Sequence, residues 1–136
     1  MYPRKFLAES LAQEPEIAFA LLMGSRANGR PRPDSDWDIA VYAREDLSPE
    51  QRFALRLRLD AQLEPLGKVD IILLNEAPAL LGHRALQGEK ILDRDPSAYV
   101  RYFVRTLARS NDERYFRDIH AKARLRRLKE GRFGRP

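Results

Sequence analysis

The sequence predicts a protein of the α/β (α+β) class, and three observations carry that expectation. Apolar runs of the length of buried strands occur at 17–23, 36–43 and 67–74. Between and after them lie segments whose apolar residues recur at three- and four-residue spacing, the helical period. Gly24, the prolines 31 and 33, and Ser48-Pro49 punctuate the changes from one kind of segment to the other.

The elements follow in order. From Arg4 to Gln13, Phe6, Leu7 and Leu11 fall on one helical face, and Pro15 stops the helix. Ile17 to Met23 is an almost unbroken apolar run ending at Gly24, which favours a strand. The polar, proline-containing stretch 30–35 is a loop, and a second strand runs from Asp36 to Ala43. Ser48 then stands as an N-cap before Pro49 at a first helical position. The text beyond is ambiguous: Leu55, Leu57 and Leu59 alternate as in a strand, yet Leu55, Leu59 and Leu63 are four apart, as are Phe53, Leu57 and Ala61. Good helix formers without β-branched residues decide for a helix to about Glu64. Gly67 to Leu74 reads as a third strand enclosing one buried-looking charge, Asp70. A short helix is expected over Pro78–Leu86 and a brief edge strand over 88–93. A helix from Pro96 to about Arg109 would present Tyr99, Phe103, Val104 and Leu107 on one face, with a further helical stretch from Asp112 to Lys129.

A length of 136 residues suits one domain, with a core over about 5–105 and a basic helical extension over about 110–136. Hydrophobic residues at 43% and charged residues at 33% indicate a packed chain with a well-solvated surface rather than a disordered one. The net charge of +5 permits a nucleotide or nucleic acid partner without demanding one. Without cysteine there is neither a disulfide framework nor a thiolate metal site. No run approaches a membrane span or a signal segment, so a cytoplasmic protein with no membrane insertion is expected.

The chemistry concentrates in Gly24-Ser25 and, ten residues beyond, Asp36-Trp37-Asp38. On a strand Asp36 and Asp38 project from one face and Trp37 from the other, toward a core. Two such carboxylates repel, and hard oxygen ligands beside apolar strands select Mg²⁺ or a similar cation. Asp70 supplies a third acid if its strand neighbours the second one. Three carboxylates on adjacent strands can hold two divalent ions about 3.5–4 Å apart, the arrangement of nucleotidyl transfer. Gly24 lets the backbone approach a phosphate, Ser25 offers an N–H and a hydroxyl, and Arg26 adds a charge. Each piece alone is bland: a Gly-Ser is commonly a turn, and an Asp-x-Asp a solvated pair. Their conjunction is what points to an enzyme.

These residues resemble the minimal nucleotidyltransferases of the DNA polymerase beta superfamily, whose signature is Gly-Ser, ten residues, then Asp-x-Asp. The surrounding Gly24-Ser25-Arg26-Ala27-Asn28-Gly29, Val69-Asp70-Ile71 and Gln87-Gly88-Glu89 segments are also similar. The resemblance implies a small mixed β-sheet with helices packed beside it, the polymerase-beta-type nucleotidyltransferase fold. It implies Mg²⁺ on Asp36, Asp38 and Asp70, an NTP, most often ATP, with its β and γ phosphates on Gly24 and Ser25, and Asp70 helping as base.

Larger relatives carry an acceptor-holding domain for which this chain has no room. Short stand-alone members resemble antitoxins that silence a HEPN-domain ribonuclease toxin by transferring AMP to a tyrosine hydroxyl. The expected function is therefore that of a Mg²⁺-dependent protein adenylyltransferase and antitoxin. Two alternatives stand beside it: neutralisation of a toxin by contact alone, and transfer to RNA or a small hydroxylated molecule. His83 and His120 read as helix or surface residues, Lys90 as a phosphate contact or a solvated charge. The basic C-terminal helix reads either as a solvated face or as a dock for an acidic partner or RNA, the protein partner ranking above nucleic acid because Tyr115, Phe116 and Phe133 form no recognisable stacking platform.

Overall fold

The computed structural model describes residues 3–24 and 36–129. Ser25, Arg26, the proline-containing loop to Ser35, and the basic end from Glu130 lie outside the described residues, as do the side chains of Tyr115 and Phe116. Helix α1 (Pro3–Ala12) leads into strand β1 (Ile17–Met23); β2 (Trp37–Ala43) is followed by α2 (Pro49–Gln62) and a 3₁₀ turn, Glu64–Leu66. Then come β3 (Val69–Leu73), α3 (Ala79–Leu86), β4 (Glu89–Asp93) and α4 (Pro96–Lys129).

The four strands form one mixed sheet in the order β3-β2-β1-β4. β1 runs antiparallel to both β2 and β4, whereas β2 and β3 are parallel. A parallel pair needs a long crossover, and α2 is that crossover. The ambiguous leucine-rich segment is thus a helix: Leu55, Leu59 and the following Leu63 are fully buried, while Phe53 and Leu57 lie exposed on its other side. Its start is a capping box. The Gln51 N–H donates to Ser48 Oγ at 3.1 Å and the Ser48 N–H donates to Gln51 Oε1 at 2.8 Å, a device worth about 0.5–2 kcal/mol.

Strand alternation sorts the interior into two layers. Trp37, Ile39, Val41 and Ala43 of β2 join Leu7 and Leu11 of α1 and the α2 leucines on one face. Ala40 and Tyr42 face the other way, with Phe19, Leu21 and Met23 of β1, Ala85 of α3, and Ala98 and Tyr102 of α4. The Phe19 and Tyr42 rings stack at 4.9 Å, and Tyr102 tilts against Tyr42 at 5.1 Å. Each fully buried large apolar side chain contributes about 1.5–3 kcal/mol, so these layers dominate the stability of the sheet. Beyond the end of β3, Asn75 pairs with the Ala43 backbone by accepting from its N–H at 2.8 Å and donating to its C=O at 3.0 Å. The open carbonyls after α1 are met by Arg94, whose guanidinium donates to Ala12 O and Glu14 O.

The C-terminal region departs from expectation in two ways. The helix is continuous over 34 residues rather than broken near Ser110. No glycine or proline interrupts 97–129, and Ser110 is itself fully buried against α3, so nothing stops the helix there. Its packed face is also different: Ala98, Tyr102, Thr106 and Ser110, each four apart, are buried. Phe103 and Val104, expected inside, are 38% and 62% exposed. Small and amphipathic residues win this seam because α3 packs tightly on α4 at Gly82, where any Cβ would run into the Tyr102 hydroxyl.

Candidate active site

Asp38 owes its place to the alternation of β2. Trp37 is buried among the α1 and α2 side chains, so Asp38 falls in the row of Ala40 and Tyr42, on the α3 and α4 side. It lies at the end of that row and is only partly covered. Its register partners are Met23 at the end of β1 and Asp70 on β3. Parallel partners project from the same face, so the sheet sets Asp38 and Asp70 side by side.

The electrostatics reflect this crowding. Burial pushes the Asp38 carboxyl above the ordinary carboxylate range, the charges of Asp70 and Asp36 push it further, and Lys68 partly offsets them. Asp36 stands just before β2, where the Trp37 N–H donates to the Lys68 carbonyl at 2.9 Å. That bond brings the two segments together and leaves the Lys68 Nζ 3.5 Å from Asp36 Oδ2. Both partners are well exposed, so the pair contributes little and is easily exchanged for another cation. Among the described residues no three acidic or histidine side chains are grouped closely enough to hold a metal ion as they stand.

Gly24 closes the other side. Its φ of +72° is left-handed, and a Cβ on it would sit 2.9 Å from Asp38 Oδ2. Conformation and proximity to the carboxylate both demand glycine here. A cleft of about 410 Å³ opens beside it, lined by Met23, Gly24, Asp38, Arg84, Gln87 and Gly88. A second cavity of about 320 Å³ shares the Arg84 and Gln87 walls and adds Leu80, His83 and Arg117.

Asp36, Asp38, Asp70 and Gly24 are therefore brought to one end of the sheet, and Ser25 and Arg26 fall outside the described residues. Asp70 is not the buried charge its apolar neighbours suggest: β3 is an edge strand and Asp70 is exposed. Lys90 is committed to Asp93 at 2.8 Å and lies over the Tyr99 ring. His83 Nδ1 meets Ser110 Oγ at 2.8 Å, and His120 is exposed. Arg84 escaped the reading of the sequence, and Gln87 entered it only as part of a similar segment, not as a residue of the cleft. Their one signal is a cation and an amide placed just before Gly88 in the helix that precedes the last strand.

Residues 5–97 match the family described as Polymerase beta, Nucleotidyltransferase. The chain belongs to this family and is a nucleotidyltransferase. Among proteins of known role it is similar to Protein adenylyltransferase MntA of Aphanizomenon flos-aquae, 30% identical over 123 residues that span 81% of this chain and 79% of the relative. Two solved structures share the fold. One is a toxin-antitoxin with AMP-PNP, with a TM-score of 0.68 and 21% identity over 92% of this chain and 99% of the other. The second is the MNT antitoxin in complex with the tri-AMPylated Shewanella oneidensis HEPN toxin, with a TM-score of 0.64 and 18% identity over 90% and 98%. No helix among the described residues is long and apolar enough to cross a membrane.

Proposed function

We propose that this chain is a Mg²⁺-dependent adenylyltransferase that moves AMP from ATP to a hydroxyl, of a tyrosine, on a partner HEPN toxin, and so acts as its antitoxin. The observation that carries the reading is the placement of Asp38 between Asp70 on one neighbouring strand and the Gly24 turn on the other. The likeness to a protein adenylyltransferase over most of both chains supports AMP as the group and protein as the acceptor. The neighbours in which an MNT antitoxin accompanies an AMPylated HEPN toxin support the class of partner. The whole chain acts in this reading as one catalytic unit, with the helical C-terminal extension attached to it.

The acceptor oxygen attacks the α-phosphorus of ATP from the β3 side. Its proton passes to the Asp70 carboxylate, the bond from the α-phosphorus to the bridging oxygen breaks, and the electron pair leaves on pyrophosphate. The backbone of Gly24, followed by Ser25 and Arg26, would hold the polyphosphate. The donor chemistry fits divalent cations, since Asp70 and Asp36 already crowd Asp38 with negative charge and every donor is a hard oxygen. Asp36, Asp38 and Asp70 would hold two Mg²⁺ ions, whose bound charge would polarise the α-phosphate and offset the charge of the leaving group.

The test is to incubate the chain and its co-purifying partner with ATP and Mg²⁺ and to take intact masses of both. A partner heavier by whole AMP units supports the reading. Unchanged masses, together with neutralisation that survives Asp36→Asn with Asp38→Asn, would leave an antitoxin that works by contact alone. Adducts on RNA instead would move the acceptor to nucleic acid.

A further inference from the structure

Arg84 is an exposed cation at a wall common to two adjoining cavities. Among the described residues its side chain has no hydrogen-bond or ion-pair partner. Lys90, on the neighbouring strand, is by contrast tied to Asp93. The first cavity contains Gly24 and Asp38; the second leads away from them along α3 to Arg117 on α4. His83 also lines the second cavity, its Nδ1 engaged by the buried Ser110.

The sheet order gives this trough a direction. Asp70 lies on β3, to one side of Asp38, while Gly24 ends β1 on the other side. Gly88, at the entrance to β4, and the end of α3 lie beyond β1. An in-line displacement with the hydroxyl entering beside Asp70 expels its leaving group toward Gly24, and past it toward Arg84. Two charges compete there. The C-terminus of α3 carries at most about −0.5 of an elementary charge from its backbone dipoles, less in so short a helix. Arg84 and Arg117 bring two full positive charges, so the trough attracts anions.

We propose that Arg84, continued by Arg117, faces the Gly24 turn across the cleft as a second, cationic contact for the β and γ phosphates of the nucleotide and for the pyrophosphate they become. This deepens the nucleotidyl-transfer reading and rests on it. As the bond from the α-phosphorus breaks, the negative charge gathering on the departing oxygen is met by the Arg84 guanidinium. The second cavity is the route by which pyrophosphate leaves, on the side away from the acceptor.

The experiment measures binding by calorimetry, without any acceptor, of ATP, AMP and inorganic pyrophosphate in Mg²⁺, to the wild type, Arg84→Ala, Arg84→Lys and Arg117→Ala. Loss of one charge-assisted contact predicts roughly tenfold weaker ATP and pyrophosphate binding in Arg84→Ala, with AMP changed less than about twofold. Arg84→Lys recovers part of the loss, and Arg117→Ala shows a smaller version of it. Equal weakening for ATP and AMP, no weakening at all, or a wild type that does not bind pyrophosphate each overturns the proposal. These outcomes are separate from the fate of the acceptor, since a chain that binds pyrophosphate through Arg84 yet modifies no partner would sink the protein-modification reading alone.

Discussion

Two carboxylates, Glu14 buried and Asp38 partly covered, stand near opposite ends of β1, and their surroundings treat them in opposite ways. Glu14, just ahead of the strand, accepts from Arg58 at 3.1 Å and from Gln62 at 2.9 Å. Arg58 holds its carboxyl below the ordinary range against the opposing effect of burial. Asp38, in register with the last residue of the same strand, has burial and two like charges pushing it up and only Lys68 against them. One charge is neutralised by the fold itself, whereas the other is left crowded at a cleft. Under the proposed function the difference separates structure from chemistry: the acid that serves the architecture is given partners, while the acid proposed to hold a cation is left without one.

That contrast can be broken in four ways, the largest effect first. If the proposed function holds, Asp38→Asn lowers the rate of AMP transfer by roughly 10³-fold or more, because the loss of a proposed metal ligand removes several kcal/mol of charge stabilisation. Single-turnover incorporation of labelled AMP into the partner measures it, and a loss under tenfold would remove Asp38 from the chemistry. Gly24→Ala forces a Cβ into left-handed backbone beside the Asp38 carboxylate and should destabilise the chain by about 1–3 kcal/mol, read from urea unfolding. Glu14→Ala should cost about 1–2 kcal/mol, softened because Arg58 retains Glu16 at 3.0 Å, with transfer unchanged. Because the folded Glu14 value is lowered, that difference is present above the ordinary carboxylate range and disappears as pH falls through the folded value.

The smallest effect has the opposite sign and sharpens the comparison most. Without added cation, Asp38→Asn should raise stability by about 0.5 kcal/mol at neutral pH, discounted for solvent screening, or roughly 2 °C in Tm. A raised folded value means that the native state binds the proton more tightly than the unfolded chain does. Stability is then lost as pH rises from the ordinary carboxylate range through the folded value, and the Asn variant escapes that loss. Its advantage should vanish in thermal melts below the ordinary range. A variant less stable than wild type at neutral pH would show that Asp38 is partnered after all.

Much of this protein was legible in one dimension because its signals are local. The bounds of β1, the capped start of α2 at Ser48-Pro49, the inward Trp37 and the glycine turn follow from apolar runs, capping chemistry, strand alternation and backbone sterics, which act between near neighbours. The C-terminal helix was misread at Ser110 and on the choice of its buried face, because both depend on what α3 presents across the seam. Asp70 was legible as an acid within an apolar strand. Its exposure came from β3 lying at the sheet edge, a matter of strand order. Arg84 was invisible for the same kind of reason, since a lone arginine in a short helix means nothing until α3 brings it to the cleft beside Gly24 and Asp38. The sequence by itself determined which residues carry negative charge and where the chain turns beside them. Only the tertiary structure decided that Asp38 faces Asp70 across a parallel register with a cationic trough on its other flank, because strand order and helix packing join residues that no local spacing relates.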